Sequence, residues 1–167
     1  TPSKKTSNLD FVSSKQWKKE LDVSLLGSYL IIKHFIKDMC AKKDGKIINI
    51  GSDLSVIAPN QSIYKRVGFK NYIKPVTYSV VKHGLLGMTK YFSSLYAEKN
   101  VRFNMVSPGP IYKDQNKKFV NELKKIIPMK RMASPQDLEE VIKFLLNDNS
   151  KYVTGQNILI DGGRTII

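Results

Sequence analysis

Three short strand-like runs, each centred on a cluster of apolar residues, at residues 46–52, 101–107 and 155–163, constrain the fold of this chain more than any other feature. A strand buried on both faces reads as such a run, and it belongs in a parallel sheet covered by helices. The intervening stretches have the other periodicity. Apolar residues recur at helical spacing over residues 15–39, from Thr77 through Val81, Leu85, Met88 and Phe92 to near Asn100, and over residues 117–127. Ser134-Pro135-Gln136-Asp137 reads as a further helix start, with a cap and then proline at the first helical position. Helices alternating with strands in this order predict an α/β fold with right-handed crossovers and a parallel sheet.

Tyr78 and Lys82 lie four apart at the start of one predicted helix, so they share a face about one turn from each other. A tyrosine hydroxyl ordinarily keeps its proton up to about pH 10, and a neighbouring ammonium favours the phenolate. A phenol so placed can exchange a proton with a substrate oxygen. A tyrosine and a lysine at this spacing are common on surface helices, but here they follow Gly51-Ser52 at a strand end. The second strand runs directly into Pro108-Gly109-Pro110-Ile111, and the third ends in Asp161-Gly162-Gly163.

This ordered set, serine, Tyr-x-x-x-Lys, Pro-Gly loop and terminal Asp-Gly-Gly, resembles the short-chain dehydrogenase/reductase family over nearly the whole chain. The resemblance implies the C-terminal part of a Rossmann-like doubly wound parallel sheet, with three strands and their flanking helices present. It implies Tyr78 as general acid/base and Ser52 as the hydrogen-bond donor to the substrate carbonyl. Lys82 then supports Tyr78 and binds the nicotinamide ribose, while Pro108, Gly109 and Ile111 pack on the nicotinamide of NAD or NADP. Residues 1–167 are accordingly expected to form the C-terminal portion of one such domain, either a fragment or a truncated gene product. The glycine-rich strand–turn–helix that receives a dinucleotide pyrophosphate does not occur in the sequence.

Two departures from the family pattern stand out. Asp22-Val23-Ser24-Leu25-Leu26-Gly27 carries serine where relatives have a fourth catalytic asparagine. Residues 53–76 also double the usual distance between the catalytic serine and tyrosine, as an inserted substrate loop. Its run from Ile63 to Lys74 resembles bacterial oxidoreductases of flagellin-modification and legionaminic-acid pathways. Tyr64 and Tyr72 are expected to stack on a sugar ring there, and Arg66 to meet a phosphate.

The chain has a formal net charge of +14, which would attract an anionic partner. The excess is mostly scattered lysine in a chain also rich in isoleucine and asparagine, as an AT-rich coding sequence would give, and scattered lysine suits a solvated face. A small-molecule substrate, with an anionic sugar derivative foremost, is expected rather than nucleic acid. No apolar run approaches the ~20 residues of a membrane span, so no membrane partner is expected. The single cysteine, Cys40, fits a cytoplasmic, reducing setting. His34 and His83 lack companions at ligand spacing, and no metal site is expected. The resemblance further implies a homodimer or homotetramer paired through the helices at 15–39 and 77–99. A truncated, non-catalytic basic binding module is the competing reading, supported by the missing glycine loop and by Ser24.

Overall fold

The computed structural model describes residues 12–68 and 72–167; residues 1–11, and positions 69–71 of the expected inserted loop, lie outside the described residues. Three strands, β1 (Gly45–Ile50), β2 (Val101–Pro108) and β3 (Asn157–Ile160), form a parallel sheet in the order β1-β2-β3. Strands β1 and β2 pair from Gly45 with Val101 to Ile50 with Val106, and β2 and β3 pair from Met105 with Asn157 to Pro108 with Ile160. The third strand is shorter than its sequence run because the flanking glycines, Gly155 and Gly162, take left-handed φ values that a strand does not hold.

β2 is the centre of the molecule, and every residue along it is buried. Val101 and Phe103 pack on Ile32, Ile36 and Phe92 from helices α2 (Gly27–Lys42) and α4 (Val76–Tyr96). Val106 instead packs on Leu138 and Leu145 of α6 (Gln136–Leu146). Full burial of one such side chain stabilises by roughly 1.5–3 kcal/mol relative to exposure, so this strand anchors helices on both faces. Its charged residue, Arg102, is also buried. The guanidinium donates to the carbonyls of Leu145 (2.9 Å) and Asn147 (3.3 Å) at the C-terminus of α6, both shared with the Ser150 hydroxyl, and to Val153 O (3.1 Å).

The helix expected over residues 15–39 is divided. α1 (Ser14–Leu21) is followed by a wider π-type turn, Asp22–Leu26, before α2 begins. Gly27 N–H reaches back to Asp22 O, and the Ser28 hydroxyl donates to Ser24 O at 2.7 Å. A hydroxyl bonded to the backbone carbonyl four residues back is a known cause of helix bending. The bend brings Leu25 onto α4 at Gly84, where a Cβ would lie 2.9 Å from Leu25 Cδ2.

Helix starts also differ in detail. Pro75 occupies the cap position of α4, and Thr77, where the sequence pattern starts this helix, sits inside the first turn with its hydroxyl buried and without a partner among the described residues. At α6 the cap position is Pro135, one residue after the expected Ser134. The Asp137 carboxylate takes hydrogen bonds from Ser134 N (2.7 Å) and Ser134 Oγ (2.9 Å), satisfying the helix entrance from within. α3 (Ser62–Arg66) and α5 (Lys117–Lys125) pack together as a small separate cluster around Ile63, Val120 and Leu123.

Because all strands run the same way, Ile50, Pro108 and Ile160 end at one edge. Ladder bonds continue past them, from Gly51 N to Val106 O (2.7 Å) and from Gly109 N to Ile160 O (2.9 Å). Gly109 lies so close to the neighbouring strand end that a Cβ would stand 2.8 Å from the Asp161 Cα. Replacing Gly109 by alanine should therefore destabilise the chain by about 1–3 kcal/mol through overpacking, read as a lower thermal midpoint in circular dichroism.

Candidate active site

The strand ends open on a cavity of about 480 Å³. Ser52, Tyr78, Lys82, Pro108, Gly109, Ile111 and Tyr64 all line it. Sequence positions spread over sixty residues are thus brought to one wall by the parallel sheet and by α4 crossing beside it. This is the crevice outside the carboxyl ends of the strands, where open α/β sheets place their ligands.

Ser52 follows β1 and begins a 3-10 turn, Asp53–Ser55, with its Oγ accepting from Leu54 N at 3.2 Å. The same Oγ donates to Asp53 Oδ1 at 2.9 Å. Asp53 is itself buried, and its other carboxylate oxygen is bonded by the Arg164 guanidinium. The serine rotamer is therefore fixed from two sides, through a carboxylate that is in turn held by the segment after β3. Sequence reading assigned no role to Asp53 or Arg164; the signal available was an arginine directly after the Asp161-Gly162-Gly163 turn.

Tyr78 and Lys82 occupy successive turns of α4. Lys82 Nζ donates to Ile50 O at 2.8 Å, which ties the helix to the end of β1. The ammonium is 5.8 Å from the centre of the Tyr78 ring. A second ammonium, that of Lys74, stands nearer, at 3.9 Å from the ring centre. Burial lowers the pKa of both lysines below the ordinary value, and for Lys74 the positive charge of Lys82 acts in the same direction.

Tyr64 reaches the cavity with its ring 4.6 Å from that of Tyr72 and 5.8 Å from that of Phe119. Burial pushes its phenol up to about 12, so it serves as a neutral aromatic wall. Tyr72 and Arg66 are not among the lining residues. Tyr72 is buried behind Tyr64, and the Arg66 guanidinium pairs with Glu122 at 3.3 Å. Ser24, in the π-type turn, does not line the cavity either. Among the described residues no group of three histidine, cysteine, aspartate or glutamate side chains could hold a metal ion.

A serine, a tyrosine and a lysine thus stand together at the carboxyl edge of a parallel sheet of Rossmann type. The chain belongs to the short-chain dehydrogenase/reductase family: the family profile described as Enoyl-(Acyl carrier protein) reductase matches residues 2–165. It is 32% identical over 156 residues to 3-oxoacyl-[acyl-carrier-protein] reductase of Aquifex aeolicus, covering 91% of this chain and 58% of that protein. It is also 32% identical over 155 residues to NAD-dependent glycerol dehydrogenase of Listeria innocua, covering 90% of this chain and 56% of that one. The fold superimposes with a TM-score of 0.86 on a short chain dehydrogenase from Leptospira borgpetersenii solved with bound NAD+, at 31% identity over 95% of this chain and 60% of that one. The chain thus spans less than two thirds of the length of these relatives.

The buried pair beneath Ser52 yields a stability prediction. Arg164→Met leaves the Asp53 carboxylate buried and unpaired, and should cost about 3–5 kcal/mol in urea unfolding. The double variant Asp53→Leu/Arg164→Met should recover most of that loss.

Proposed function

We propose that this chain carries the proton-transfer side of an NAD(P)-dependent oxidoreductase interconverting an alcohol and a ketone on a small, sugar-derived molecule. The observation that carries this reading is the convergence of Ser52, Tyr78 and Lys82 on one cavity beside the Pro108-Gly109 loop. In the direction of reduction, Tyr78 Oη gives its proton to the carbonyl oxygen as that oxygen gains negative charge. Ser52 Oγ donates to the same oxygen, exchanging its bond to Asp53 for one to the substrate. Ser52 stands at a strand end and Tyr78 in the first turn of a helix, rigid elements of the kind that electrostatic stabilisation of a transition state needs. The ammonium groups of Lys74 and Lys82 stand 3.9 Å and 5.8 Å from the centre of the Tyr78 ring.

The nicotinamide cofactor, when bound, supplies or accepts the hydride. The residues present fit it. Lys82 spends one of its three donors on Ile50 O and has others to offer a ribose hydroxyl, and Pro108, Gly109 and Ile111 line the same cavity. Pro108, Gly109 and Ile111 would hold the nicotinamide, with Tyr78 and Lys82 on the ribose side. Ile111 is steadied by a bridge to Ala133 and by Gln115 Nε2 donating to its carbonyl at 2.9 Å.

Support for a sugar-derived substrate comes from residues 53–76, which supply Pro59, Asn60, Ile63, Tyr64 and Lys74 to the cavity and carry the likeness to flagellin-modification and legionaminic-acid-pathway enzymes. A putative gluconate dehydrogenase from Agrobacterium tumefaciens has the same fold at 27% identity, with a TM-score of 0.85. A 4-hydroxyisoleucine dehydrogenase solved with NADH and succinate is likewise 27% identical, with a TM-score of 0.83. A homodimer or homotetramer working in the cytoplasm completes the reading. Exposed Leu30, Ile31 and Phe35 on α2, and Tyr91 and Leu95 on α4, are the apolar residues such pairing would cover. No described helix is long and apolar enough to cross a membrane.

The test is Tyr78→Phe in the complete protein as expressed from its own gene, assayed for nicotinamide reduction or oxidation with a panel of polyols and sugar acids. Loss of a positioned general acid should lower kcat by about 10²–10⁴-fold with the circular dichroism spectrum unchanged. Wild-type turnover in that variant would remove the assignment. Salt-sensitive nucleic-acid binding without any cofactor effect would favour the non-catalytic basic module instead.

A further inference from the structure

The cavity wall carries four cationic side chains, Lys74, Lys82, Lys113 and Arg164, against a single carboxylate, Asp53. Two of the four are accounted for: Arg164 is paired with Asp53, and Lys82 is bonded to Ile50 O. Lys113 is exposed on the loop after Ile111. Lys74 is the exception. It is half-buried, its ammonium lies over the face of the Tyr78 ring, and no carbonyl or carboxylate among the described residues accepts from its Nζ.

The carboxylates whose charge reaches Lys74 are Asp53 and Glu20, and both are engaged elsewhere. Asp53 holds Ser52 and Arg164, while Glu20 accepts from Gln16 Nε2 at 2.6 Å. An ammonium has three donors, and a ring face does not use them all. Position is nevertheless enforced. The Gln61 side chain clamps the Lys74 backbone from across the loop, accepting from Lys74 N at 2.8 Å and donating to Lys74 O at 3.4 Å. Pro75 follows directly and restricts the backbone of Lys74 as well. A lysine held by its backbone, desolvated and left with free donors inside a cationic cavity has the features of a receptor for negative charge.

We propose that Lys74 receives an anionic group of the substrate, carboxylate or phosphate, next to the Tyr78 ring, with Gln61 as its positioning residue. This rests on the oxidoreductase reading above and narrows its substrate to molecules with a negative charge near the reacting carbon. A lysine ammonium is a compact charge without the planar fork that selects one oxyanion geometry, so both anions share the chemistry.

The experiment is isothermal titration calorimetry at low ionic strength on the complete protein, with D-gluconate, succinate and inorganic phosphate as probes. The variants are Lys74→Met, Lys74→Arg and, as a charge control on the far surface, Lys37→Met. At least one probe should bind the wild type. Removing a charge-assisted hydrogen bond should weaken it about tenfold or more in Lys74→Met, whereas Lys74→Arg should stay within a few-fold and Lys37→Met should match the wild type. Preference for the carboxylates or for phosphate then identifies which anion the site takes. Wild-type affinity in Lys74→Met, equal loss in Lys37→Met, or no binding of any probe overturns the proposal. Should Lys74→Met melt early, Lys74→Gln keeps a polar head and carries the same comparison. The readout is binding, so its failure leaves the Tyr78 assignment standing, and failure of that assignment does not alter the calorimetry.

Discussion

The structure depends on the complete burial of β2. A strand with no exposed residue must be paired on both edges and covered on both faces, and β1, β3, α2, α4 and α6 are the elements that do so. Because its neighbours run parallel to it, their ends are gathered at one rim. The site is a product of that constraint: Ser52 follows β1, Gly109 follows β2 and Arg164 follows β3, while α4 delivers Tyr78 and Lys82 to the same rim. None of these residues is close to all the others in sequence, and the sheet supplies the proximity.

Much of this was legible from the amino acids. Short apolar-centred strand runs alternating with segments of helical periodicity specify a parallel sheet with helical crossovers. Tyr78 and Lys82 could be placed on one helix face by spacing alone. What escaped reading has physical reasons. The Asp53–Arg164 pair joins residues 111 apart, and no local pattern encodes such a partner. The π-type turn around Ser24 is accompanied by one hydroxyl-to-carbonyl bond by Ser28, too small a signal against an otherwise regular apolar stripe. Arg66 and Tyr72 belong to the right loop, yet one faces Glu122 and the other stands behind Tyr64; composition located the loop without saying which side chains face inward.

Electrostatically the cavity is graded. Its floor is a neutralised pair, Asp53 with Arg164, which fixes the serine without adding net charge. Its α4 side presents ammonium groups beside a phenol, in a setting where burial already disfavours their charged forms. An anion entering there meets half-buried donors, where a charge contact is stronger than in open water. Tyr64, kept neutral by burial, completes the wall with an apolar surface.

The bond between Asp53 and Arg164 also sets an order of assembly. Arg164 leaves the ribosome 111 residues after Asp53, so during synthesis the carboxylate under Ser52 waits without its partner. Strand β3 must dock before that partner arrives, since Arg164 lies just beyond it. The serine is thus locked in place late, when the sheet is already built, and a nascent chain carries its reactive groups in sequence well before it holds them in register.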